Sequence, residues 1–141
     1  MSTAADPILS AAESSLARVR AEIRLLACIA PLGRWGLALA SRAGITIDAF
    51  TADDCRCIYA GLIVAERTGR ITDAEATVQL CRDVLITRHL WHPDDTRSFC
   101  GGMTWGPGPL AALFTSLSHR EAEELLPILV AELLAMEAGH D

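Results

Sequence analysis

The chain has 141 residues, 51% of them hydrophobic and 5% aromatic. That length suits one domain, and that composition supplies a core without disulfide or metal staples. All twelve basic residues are Arg, which removes P-loop, Schiff-base and kinase-type lysine chemistry from the chain, and the net charge of −6 runs against non-specific duplex-DNA binding.

The charge is uneven. Residues 1–47 carry five Arg against three acids, 48–100 six against nine, and 101–141 one against six. A basic N-terminal part and an acidic last helix are therefore able to meet, within a chain or between chains. The five cysteines are Cys28, Cys55, Cys57, Cys81 and Cys100. Their odd number, and a start without a basic and apolar leader, predict a cytoplasmic protein with free buried thiols. Residues 98–118 contain no charged residue or His. They also hold Gly101, Gly102, Gly106, Pro107, Gly108 and Pro109, too many breakers for a lipid-exposed helix, so no membrane span is expected there.

The pattern predicts an all-α fold of about six helices in a single domain over 1–141, since Ala and Leu dominate and no strand alternation appears. Asp6-Pro7 reads as an N-cap followed by proline. Leu9, Ala12, Leu16, Val19, Ile23, Leu26 and Ala30 then alternate in steps of three and four, giving a first helix over 7–29. The near-heptad period suits packing against a long partner or a second copy. Arg18, Arg20 and Arg24 are placed on the opposite face. A second helix over 32–43 carries Trp35, Leu37, Leu39 and Ala40, is weakened by Gly33 and Gly36, and stops at Gly44.

Thr51 with Asp54 is spaced as a capping box for a third helix over 52–68, with Cys55, Ile58, Leu62 and Ala65 inward, joined by Tyr59 and Ile63, and Gly69 as its stop. Thr72 with Glu75 is spaced to open a fourth, to about residue 89, with Ala76, Leu80, Cys81, Val84 and Leu85 inward. An irregular stretch over 91–109 precedes a short helix over 110–117. Ser118 with Glu121 caps a last helix to about residue 137, which Pro127 is expected to kink.

Chemistry-bearing sets are sparse. Cys55 and Cys57 point about 200° apart on a helix and do not chelate one ion together. Cys28 and Cys81 fall on apolar faces. His89, His92, Asp94, Asp95 and Cys100 form the densest ligand-type group, and Pro93 turns His92 away from helical geometry. Asp53, Asp54, Glu121, Glu123 and Glu124 sit in first turns, where carboxylates suit the helix dipole. No G-x-S-x-G, H-E-x-x-H or G-x-G-x-x-G occurs. The expectation is a non-catalytic chain with no catalytic, cofactor-binding or metal residues. The alternative is a small metal- or ligand-binding regulator using 89–100. Trp35, Trp91 and Trp105 are anchors over the core or contact points for a partner.

Three patterns carry a resemblance. EIRLLACI from Glu22 is an acidic residue before a Leu-rich run. FTADDCRCIYAGLIVAERTG over 50–69 has an aromatic start, Arg56, the Ile58-Tyr59 pair and a terminal Gly, with Asp73 near the start of the next helix. Gly101-Gly102 precedes Leu110, Leu113 and Phe114, then a closing helix with Ile128. Over about residues 20–130 the chain resembles the N-terminal collar domain of DnaB-type replicative helicases. It departs where that family often has Pro and His, at Asp53 and Cys55, and Gly106-Pro107-Gly108-Pro109 looks like an insertion. No RecA-like ATPase domain is expected within these 141 residues. The resemblance implies a protein-interaction role: a homodimer that contacts a replicative helicase, a primase or a helicase loader, without touching nucleic acid itself.

Overall fold

The computed structural model describes residues 7–88 and 116–138, and among these it is all-α. Helix α1 spans Pro7–Arg42, a 3-10 turn spans Ile47–Ala49, α2 spans Asp53–Arg67 and α3 spans Ala74–Thr87. The last helix, α4, spans His119–Ala138. Helix α1 packs against α4 and against α2, and α2 packs against α3. One core joins all of them, built from Leu25, Leu26 and Ile29 of α1, Ile58 and Leu62 of α2, Leu85 of α3 and Leu126 of α4.

The described residues thus form four α-helices where six were expected. The first two expected helices are one element, bent at Gly33, whose φ of 59° and ψ of −129° leave helical space. Pro31 denies a backbone donor just before the bend, and Gly33 accepts a backbone angle that an L side chain resists. The expected short helix over 110–117 lies almost wholly outside the described residues, as do Asp6, Trp91, Trp105 and the 91–109 stretch. Helix α4 continues through Pro127, so the expected kink does not interrupt it; Pro127 is exposed. By length and composition alone, α1 could cross a membrane, with a mean hydropathy of 1.4 in its most apolar window, but half of that window is buried inside the protein.

The face α1 buries is not the heptad stripe. Arg18, Ala21, Glu22, Leu25 and Cys28 are buried, whereas Leu9, Ala12 and Leu16 are exposed and Val19 and Ile23 only half-buried. Arg18, expected on a solvated face, belongs to the core side. Two of the three expected caps also move. Asp73, not Thr72, caps α3, its side chain accepting from the Ala76 N–H at 3.1 Å. Helix α2 has Ala52 at its N-cap, with no cap from its own side chain. The third holds as expected: Ser118 Oγ accepts from the Glu121 N–H at 3.1 Å, and Glu121 accepts from the Ser118 N–H at 3.0 Å. Those bonds hold the Glu121 carboxyl below the ordinary carboxylate range.

Helices α2 and α3 come together at Gly61. A Cβ there would lie 2.7 Å from Cys81 Sγ and 2.9 Å from Cys81 Cα, and the Cys81 thiol donates to the Ile58 carbonyl at 3.5 Å. Gly61→Ala improves helix propensity by about 1 kcal/mol. The clash with backbone outweighs that gain, and the variant is expected to lose roughly 1–3 kcal/mol of stability in urea unfolding. An unchanged or raised midpoint would show that this close approach is wrong.

Candidate functional site

Arg18 and Glu22 stand one turn apart on the buried side of α1, with Arg18 Nε 3.3 Å from Glu22 Oε2 and side chains 7% and 0% exposed. Burying a carboxylate costs several kcal/mol unless hydrogen bonds replace its water. Glu22 finds them at the start of α2. The Thr51 N–H lies 3.0 Å from both carboxylate oxygens, the Ala52 N–H donates to Oε1 at 3.1 Å, and the Thr51 hydroxyl donates to Oε2 at 2.6 Å. A helix N-terminus offers such donors and a partial positive charge together. Arg18 Nη2 donates to the Ala49 carbonyl at 2.6 Å, while its Nε sits at ion-pair distance from Glu22 without hydrogen-bond alignment. The pair clamps residues 49–52 onto α1 and turns inward, away from any ligand. Sequence reading singled out Glu22 only as part of a family-like run; a polar partner thirty residues away leaves no periodic trace.

Beside the clamp lies a cleft of about 560 Å³ between the outer arm of α1, the 3-10 turn and α2, lined by Arg34, Leu37, Asp48, Tyr59, Ile63 and Arg67 among others. Its floor is apolar. The Tyr59 hydroxyl is already committed to the Ile45 carbonyl at 2.8 Å, and burial pushes its pKa up. Arg34 meets Glu66 at 3.5 Å and Arg56 meets Asp48 at 3.3 Å, both exposed pairs worth little to stability. No hydroxyl lining the cleft is hydrogen-bonded to a carboxylate or His among the described residues, so no nucleophile–base pair stands there. A second cleft, of about 390 Å³, is lined by Asp53, Arg56, Cys57, Val84 and Arg88.

Cys28, Cys55, Cys57 and Cys81 are free and buried, as the sequence led one to expect. Cys55 and Cys57 are buried on opposite sides because α2 is enclosed by α1 and α3. Burial pushes the Cys81 thiol up to about 12. It also raises Cys28 and Cys57, against which Arg24 and Arg88 respectively pull weakly downward. Such thiols make poor nucleophiles and poor ligands. Among the described residues no group of three or more His, Cys, Asp or Glu is placed to hold a metal. The expected ligand-type set His89, His92, Asp94, Asp95 and Cys100 lies outside the described residues.

Among its charged and polar residues the described surface also presents large apolar side chains: Ile8, Leu9, Leu16, Trp35, Val64 and Ile128. Residues 7–17 of α1 are all exposed, with Leu9 at 61% and Leu16 at 42%, and Trp35 beyond the bend is 48% exposed.

Glu22→Ala would leave the Arg18 charge buried and the N–H groups of Thr51 and Ala52, just before α2, without their acceptor. It is expected to cost about 3–5 kcal/mol. Arg18→Met keeps the Thr51 and Ala52 contacts and is expected to cost less; equal losses by urea denaturation would mean that the ion pair, and not the cap, holds the clamp. Alkylation at neutral pH should leave Cys28, Cys55, Cys57 and Cys81 unmodified in the native protein and label them on unfolding. Peptide mass spectrometry showing rapid native labelling at any of the four would contradict their burial.

Comparison with protein-family models, with curated proteins and with solved structures finds no match to this chain, which leaves its function to be read from its own surfaces.

Proposed function

We propose that this chain is a non-catalytic protein-interaction domain whose N-terminal helix arm is the docking element. The observation that carries the reading is the arm itself: a regular helix over 7–17 with every residue exposed, Leu9 and Leu16 among them. An isolated helix of this length is marginal in water. An apolar stripe on it gains stability only by being covered. The two clefts lack a nucleophile–base pair among the described residues, and the buried charges are used to hold the fold.

The partner class follows from the resemblance to helicase collar domains. A replicative helicase, a primase or a helicase loader is the proposed target, with the chain acting in the cytoplasm as a regulator or adaptor. The fold is proposed to be of that collar type. The acidic balance supports a protein partner over a nucleic acid.

Purified helicase and primase from the same cell, immobilised separately, test this. Capture of the wild-type chain by one of them, lost in Leu16→Asp while the far-ultraviolet dichroism is unchanged, is the expected result. Absence of capture by either would overturn the partner assignment.

A further inference from the structure

We propose that the N-terminal arm of α1 pairs with the same arm of a second copy in an antiparallel helix pair, an inference that rests on reading the arm as a docking element. The helix carries two apolar faces. The one built around Ala21, Leu25 and Cys28 is covered by the chain's own core. The other, Leu9, Ala12, Leu16, Val19 and Ile23, lies about 165° around the axis from it. It runs exposed or half-buried until Leu26 enters the core. Its three–four alternation is that of a two-helix seam, which a straight stripe facing a globular core does not require.

Charge selects the partner and its direction. Paired antiparallel about a two-fold axis, the seam stacks Leu16 on the partner's Val19 and Ala12 on the partner's Ile23, and the reverse. On the open side of that seam stand Glu13 and Arg20, both exposed. In this register Glu13 faces the partner's Arg20 and Arg20 faces the partner's Glu13, two complementary contacts from one self-matching surface. Sliding by one heptad to the shorter antiparallel register sets Glu13 against the partner's Glu13. A parallel pair sets Ser15 against the partner's Arg20 and forms neither contact. Because each arm leads into its own bundle at the C-terminal end, antiparallel pairing also puts the two bundles at opposite ends of the pair.

Sedimentation equilibrium of the full chain up to millimolar concentration should show a reversible shift from the 15.1 kDa monomer to twice that mass. Leu16→Asp should abolish the shift with unchanged helicity and unfolding midpoint, since Leu16 lies outside the core. Glu13→Arg and Arg20→Glu should each weaken self-association about tenfold, as facing like charges replace attraction. The double variant Glu13→Arg/Arg20→Glu should restore it. A strict monomer overturns the inference; if the wild type is nonetheless captured by helicase or primase through Leu16, the docking reading stands and only self-pairing falls. A dimer indifferent to both single charge reversals overturns the antiparallel register.

Discussion

A carboxylate with no solvent contact, set in a helix of Ala and Leu, is tolerable only if the chain returns hydrogen bonds to it, and Glu22 receives them from Thr51 and Ala52. One of those donors, the N–H of the N-cap residue Ala52, has no partner within α2, and the Thr51 N–H and hydroxyl just before it are satisfied with it. Each side of the contact therefore meets the other's need. Arg18 adds the opposite charge and takes the Ala49 carbonyl, so both polar ends of the 49–52 segment are held. Leu and Ala surfaces are nearly interchangeable along a helix and fix register weakly. The Glu22 contact has one geometry. It sets where α2 begins on α1, and α2 in turn sets α3 through the close approach of Gly61 to Cys81.

This explains which parts of the fold were legible in the sequence. Local rules worked where the partner is local. The stops near Gly44 and Gly69, the reciprocal Ser118–Glu121 cap and the inward stripe of α2 all depend on residues within a turn or two. They failed where the partner is distant. Thr51 has the spacing of a capping residue, but its N–H and hydroxyl are committed to the carboxylate of Glu22, 29 residues away. The bend in α1 was visible as Pro31, Gly33 and Gly36, yet it joins two segments that the pattern separates. Arg18 falls on the face opposite the apolar stripe, where charge is the usual sign of exposure, and only a buried counter-charge reverses that rule.

The candidate site divides in the same way. Burial of the four described cysteines could be read from their apolar neighbours. The cleft around Tyr59 could not, because it exists only once the bend in α1 brings Arg34 and Leu37 beside α2. The heptad stripe of α1 is legible as a pattern that suits a long partner or a second copy, and the described core covers a different face of the helix. Hydrophobic periodicity reports that a face is to be covered. It does not report by what, and when a helix carries two apolar faces the stronger repeat can belong to the outer one.

That division of labour has an energetic consequence. Residues 7–17 are all exposed and none belongs to the buried core, so their helical order rests mainly on propensity and on continuity with the buried part of α1. Covering Leu9 and Leu16 would stabilise the helix, and a formed helix is what brings Leu9, Ala12 and Leu16 to one side. Order and docking are thus linked: a partner must supply part of the free energy that keeps the arm helical, which lowers its affinity below what the buried area alone would give. The bundle is insulated from this exchange, because its registration depends on Glu22 and Arg18, which face away from the stripe. A single helix can therefore hold a stable domain at one end and a reversible contact at the other.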